Sequence, residues 1–246
     1  MQLTDDEIRQ ILVREKIRKR KRKRKTRKIL VVLCSILVLV LAIGIYVNRD
    51  ARVTARGVIF VDAGHGGVDG GSTVGKRLEK NDTLRLALAV RDELEHMGFK
   101  VFLSRDKDKD VDRAMRGEMA NKKKADLFLS IHRNQAEEGN GVEVFIPSKN
   151  DDSSKMLGHN VFKALIEQGF AERSVRAGTL VSSNEDYLEN SVPRMPSCLV
   201  EVGFLQSKKD NQLFDNNLED NAKAIATAIE NTFIKLYEED QEYDEV

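Results

Sequence analysis

Nineteen consecutive residues without a charge, Ile29 to Val47 (ILVVLCSILVLVLAIGIYV), restrict this chain more than any other stretch. As a helix rising ~1.5 Å per residue, such a run reaches about 28 Å, close to the ~30 Å hydrocarbon core of a bilayer. A transmembrane helix over 29–47 is therefore expected. The basic run RKRKRKRKTRK abuts its N-terminal end. Under the positive-inside bias that end stays cytoplasmic and everything after Asn48 lies outside. Ala42 and Gly44 also supply a small-x-small pattern, so a cleaved signal peptide is the alternative, although the length of the run favours an uncleaved anchor.

The formal net charge of +1 conceals a division, because Met1 to Lys28 alone holds 13 Lys/Arg and 4 Asp/Glu. Residues 1–28 read as a cytoplasmic basic tail. Its TDDE stretch, Thr4 to Glu7, fits a capping box before Ile8, Ile11 and Leu12, so a short helix is expected there. The polybasic run suits anionic lipid and topology, and nucleic acid is not an expected partner. Cys34 falls inside the apolar run and Cys198 far beyond it, so no intramolecular disulfide is expected and the outer part must rest on its core.

Residues 48–57 read as a linker, 58–237 as one catalytic domain and 238–246 as an acidic tail. Within the domain, apolar runs alternate with amphipathic ones. Strands are expected at Val58–Val61, KVFLSR, DLFLSI, GVEVFI and CLVEVGF. Helices are expected over Asp82–Met97, Val111–Lys122 and Ser153–Gln168, with a last one marked by Ala222, Ile225, Ile229 and Phe233. The stretch from Gly169 to Pro196 reads as a polar connection, in which Asn184, Glu185 and Asp186 cap a turn or form a rim. The alternation implies an α/β fold with a mostly parallel sheet flanked by helices on both faces, which places ligands at the carboxyl ends of its strands.

Two histidines stand at such ends: His65 after VIFVDAG and His132 after LFLSI. Two imidazoles and a carboxylate complete a catalytic zinc set, and Glu79, just before the first amphipathic helix, is the candidate carboxylate. Glu201 lies inside the apolar strand SCLVEVGFL, where an unpaired carboxylate is costly, so it is either structurally paired or tuned for proton transfer. Spacing alone leaves a zinc hydrolase and an α/β domain with structural histidines equally open.

The segments IFVDAGHGGVDGGS, the Glu of LEKNDTLRLA, SIHRN and VPRMPSCLVEVGFLQS together resemble the zinc-dependent N-acetylmuramoyl-L-alanine amidases of the amidase-3 family, over about Val58 to Tyr237. The resemblance implies Zn2+ held by His65, Glu79 and His132, with Glu201 as catalytic glutamate and peptidoglycan as substrate. The reaction it implies is cleavage of the amide between N-acetylmuramic acid and the L-alanine of the stem peptide. Asp62 is expected either to hold His65 or to serve as a turn carboxylate. Arg105, Arg113 and Asn121 resemble family positions and read as mainly structural. Many members carry a small residue after the third ligand, where this chain has Arg133. An arginine there either binds a substrate carboxylate or is structurally paired.

Some members also plug the zinc site with a long inserted helix; nothing of that length stands between Gly169 and Pro196, so activity without an activator is expected. A zinc peptidase acting within the stem peptide and a catalytically silent wall-binding module are the competing functions. The expected location is the cell membrane, single-pass, with the catalytic domain outside. Its short linker, spanning roughly 5–6 Å times the square root of its length, restricts it to wall near the bilayer.

Overall fold

A computed structural model describes residues 55–149 and 151–238. Among the described residues no helix is long and apolar enough to cross a membrane. The expected transmembrane run at 29–47, the basic tail and residues 239–246 lie outside them.

Among the described residues, eight strands and six α-helices follow one another from residue 58, and a π-helical segment, Ile234–Glu238, continues the last. Strands β1 (Val58–Ala63), β4 (Lys100–Leu103), β5 (Leu127–Asn134), β6 (Val142–Ile146), β7 (Glu172–Ala177) and β8 (Ser197–Phe204) form one sheet in the order β4-β1-β5-β8-β6-β7. A two-residue hairpin, β2 (Thr73–Val74) with β3 (Arg77–Leu78), stands apart. Strands β4, β1, β5 and β8 are mutually parallel, and β6 joins β8 antiparallel while pairing parallel with β7. The sheet is mostly parallel with one antiparallel seam.

The helices are α1 (Glu79–His96), α2 (Arg113–Lys123), α3 (Asp152–Glu167), α4 (Leu188–Ser191), α5 (Lys208–Asn216) and α6 (Leu218–Phe233). Apolar residues at helical spacing bury one stripe of each long helix. Leu86, Val90 and Leu94 of α1, Leu157, Val161 and Leu165 of α3, and Ile225 and Ile229 of α6 share a core with Ile59, Leu129, Val144 and Val200 of the sheet. Each fully buried aliphatic side chain contributes about 1.5–3 kcal/mol. The opposite face has a smaller cluster of Phe60, Phe128, Ala120 and Ala125, and α2 and α4 pack there. That face is polar toward the carboxyl ends of β1, β5 and β8.

Three expectations change. Helix α1 begins at Glu79 rather than Asp82; its N-cap is Leu78 without a side-chain cap bond, so its first turn carries no apolar or capping signature. The connection 169–196 contains β7 and α4. β7 is an edge strand in which no residue is fully buried, so it shows no apolar run. Helix α5, whose N-cap Ser207 accepts from Asp210 N, was not expected either.

Candidate active site and metal centre

Strand alternation decides which side chains meet. In β5, Leu127, Leu129 and Ile131 enter the large core, which turns Phe128, Ser130 and His132 to the other face. In β8, Cys198, Val200 and Val202 do the same, leaving Leu199 and Glu201 beside His132. His132 and Glu201 are register partners across β5 and β8.

His65 comes from the turn after β1 with φ of 60°, a left-handed conformation uncommon for a residue with a side chain. Paired bonds Gly66 N→Asp69 O (2.9 Å) and Asp69 N→Gly66 O (3.1 Å) close the turn. Asp69 Oδ2 stands 2.7 Å from His65 Nδ1, which directs Nε2 to Glu79 Oε1 at 3.2 Å. The same oxygen lies 3.0 Å from His132 Nδ1. Glu79 is the first residue of α1, where the helix dipole favours a carboxylate. It accepts from Arg133 N at 3.0 Å and Ser72 N at 2.8 Å. A β-carbon added to Gly64 would stand 2.5 Å from His132 Cε1, so only glycine lets the backbone lie against that ring.

Two buried arginines fix the turn from below. Arg116 bonds Asp62 Oδ1 at 2.7 Å and donates to Ala63 O and His65 O. Arg105 donates to Ala63 O, Gly64 O and Lys80 O.

Burial opposes the charge on His132, but the hydrogen bond and charge of Glu79 outweigh it and raise His132 to about 9. Burial also works against ionisation of Glu79, yet its hydrogen bonds to His132 and His65 hold it well below the usual carboxylate range. For Glu201 burial dominates and pushes the carboxyl up to about 7. The donor atoms of His65, Glu79 and His132 lie within 4.8 Å of one another. Their 3.0 and 3.2 Å separations approach the edge of a tetrahedron, about 3.3 Å, around an ion bonded at ~2.0–2.1 Å. Buried Glu201 Oε2 and His132 Nε2 have no hydrogen-bond partner among the described residues. The residues fit a divalent metal ion.

His65, His132 and Glu201 line a cleft of about 250 Å3 with Arg113, Glu189 and Tyr187. A larger hollow of about 420 Å3 between α3 and α6, bordered by Lys163, Glu167, Asp220 and Lys223, contains none of this chemistry.

The sequence-derived set His65, Glu79, His132 and Glu201 is thus brought together. Arg133 is not part of it, and the expectation of a substrate-binding arginine there is corrected. One residue after His132, alternation sends its side chain through the sheet to the α1 side, where it is fully buried against Asp82 at 2.6 Å. It also donates to Asn211 Oδ1 at 2.8 Å and stacks over Phe214. Asp62 does not touch His65 through its side chain; Arg116 and Ser130 occupy its two oxygens. The residue that orients His65 is Asp69, which sequence reasoning missed although it lies one helical turn's distance away in HGGVD. Arg116 was also missed. Arg105 is structural as expected, and Asn121 pins Val192 O and Arg194 N. Arg113 is held by the buried Glu189 through Nε at 3.0 Å and Nη2 at 3.1 Å. Asp186 ties its loop to the segment after β6, accepting from Ser148 N and Oγ.

Two imidazoles and a carboxylate facing an acid whose Oε2 has no partner among the described residues, at the carboxyl ends of parallel strands, have the donor chemistry that metal-assisted hydrolysis requires. Residues 59–231 match the family described as N-acetylmuramoyl-L-alanine amidase, and the chain belongs to that family. It is 31% identical over 175 residues to the germination-specific N-acetylmuramoyl-L-alanine amidase of Bacillus subtilis, covering 63% of this chain and 70% of that one. It is 34% identical over 180 residues to the sporulation-specific amidase of the same organism, covering 71% and 68%. The structure of the amidase AmiC2 of Nostoc punctiforme superposes with a TM-score of 0.63 at 30% identity, covering 72% of this chain and 96% of that one.

Proposed function

We propose that this protein is a membrane-anchored, zinc-dependent peptidoglycan amidase that hydrolyses the amide between N-acetylmuramic acid and the L-alanine of the stem peptide. The observation that carries the reading is the convergence of His65, Glu79 and His132 donor atoms within 4.8 Å, with Glu201 as the register partner of His132. His65, Glu79 and His132 hold the ion, which when bound activates water toward neutral pKa and polarises the scissile carbonyl.

Glu201 takes the proton of the attacking water at its unpartnered Oε2 and returns it to the leaving amine of L-alanine, a role suited to a carboxyl pushed up to about 7. Asp69 keeps His65 in one orientation, and Arg105 and Arg116 hold the carbonyls of the turn that carries it. The uncharged run 29–47 behind a basic tail supports a single-pass anchor with the catalytic domain on the extracytoplasmic side.

Zinc content and product mass spectrometry on purified peptidoglycan test the reaction, run beside Glu201→Ala. Released stem peptides that begin with a free L-alanine amine, lost in the variant while about one zinc stays bound, are the expected result. Products cut within the stem peptide would replace the amidase reading with a peptidase. Zinc without any cleavage would replace it with a binding module.

A further inference from the structure

On the side of Glu201 away from His132, the sheet presents a second set of charged groups. Glu143 of β6 is the register partner of Glu201 across the antiparallel seam. Directly opposed residues share a face, with Cβ atoms about 4.5–5.5 Å apart. Glu143 is only 2% exposed, and its Oε2 accepts from Asn134 Nδ2 at 2.6 Å. Its Oε1 lies 3.2 Å from Arg173 Nε and 3.4 Å from Arg176 Nη2. One buried carboxylate thus faces two guanidinium groups, leaving a surplus positive charge on the strands next to Glu201.

The strand geometry explains how both arginines reach this face. Ser174 and Arg176 pair with Glu143 and Phe145, while the register jumps from Val142↔Glu172 to Glu143↔Ser174. Arg173 is the extra residue of that irregularity, and such bulges re-aim side chains. Arg173 lies 4.8 Å above the Phe204 ring and Arg176 5.8 Å from the Phe145 centroid. Ser174 Oγ accepts from Arg176 Nε and Nη2. The two arginine side chains are 39% and 38% exposed. Planes fixed by aromatic contact and a buried counter-charge, on side chains still open to solvent, suit a carboxylate. The other arginines near the metal ligands are committed elsewhere: Arg133 is buried against Asp82, Arg105 and Arg116 hold carbonyls of the His65 turn, and Arg113, which lines the cleft and is 56% exposed, is matched one to one by the buried Glu189.

Resting on the amidase reading, we infer that Arg173 and Arg176 form a subsite for a carboxylate of the substrate peptide, carried within about three residues on the amine side of the scissile bond. Two strand spacings of ~4.8 Å separate β8 from β7, and an extended peptide covers that distance in about three residues at ~3.3–3.6 Å each.

The test measures affinity by calorimetry on the full-length zinc-loaded protein carrying Glu201→Gln. Two muramoyl peptides are compared, differing only in whether the residues after L-alanine bear carboxylates or carboxamides. The carboxylate form should bind about tenfold tighter. Arg173→Gln/Arg176→Gln should erase that preference and leave affinity for the carboxamide form unchanged. Because this double variant strands Glu143, the companion Arg173→Gln/Arg176→Gln/Glu143→Gln removes the orphaned charge and should behave alike. No preference in the parent protein, or a preference that survives in both variants, overturns the subsite. A charge preference in a protein that, with Glu201 intact, never cleaves peptidoglycan overturns the amidase reading instead.

Discussion

Asp69 gives His65 a single free nitrogen. With Nδ1 committed at 2.7 Å to that carboxylate, the ring can offer only Nε2 to a metal, and such partners typically govern affinity and activity by 10–100-fold. Asp69→Ala should therefore weaken zinc retention and kcat/KM within that range, as competition with a chromophoric chelator will show. His132 makes a second prediction. Its value rises from 6.5 to about 9 in the folded, metal-free protein, so its proton is bound more tightly folded than unfolded. The stabilisation is fully present below about pH 6.5 and is lost as pH climbs through about 9. The metal-free protein should melt at progressively lower temperature across that window. The zinc-loaded protein, whose ligand nitrogen carries no proton, should lack this component of the slope, and paired thermal melts decide it.

At the scale of elements, alternation along β5 separates two neighbours into unrelated jobs: His132 faces the cleft and Arg133 the packed side of α1. Arg133→Ala should lower stability by about 2–3 kcal/mol, through lost packing on Phe214 and lost hydrogen bonds, while Asp82 keeps Arg77. KM should stay unchanged; denaturant melts and steady-state kinetics on the same sample check both. The same reasoning tells what the sequence discloses. β1, β5, β6 and β8 are buried enough to appear as apolar runs, and α1, α3 and α6 show their stripes, so the α/β order is legible and His65, His132 and Glu201 can be placed on or at the ends of strands; their grouping with Glu79 as one site comes from the resemblance to the family. β7 is not, because ERSVRA carries three charged residues and its apolar Val175 and Ala177 are only half-buried, whereas β4 at the other edge keeps the run Val101, Phe102 and Leu103. Of the two readings of Arg133, adjacency to His132 suggests the substrate contact, while a period of two favours the structural pair that the strand delivers. Asp69 and Arg116 act through turn geometry and a long-range pair with Asp62, neither of which leaves a periodic trace.

Across the whole molecule, the sheet is assembled out of sequence order: β8, at Ser197–Phe204, inserts between β5 and β6. Both neighbours remain unpaired on that side until it arrives, and non-local pairing of this kind is slow. A chain ending at Pro196 should lack a cooperative thermal transition, and a sharp melt by circular dichroism would contradict that. The insertion also sets the order in which the site is completed. His65, Glu79 and His132 stand on elements that precede β8 in the chain, whereas Glu201 arrives on the last strand. The acid facing the three clustered donors is thus supplied by the strand that closes the sheet, so the site is whole only when the fold is.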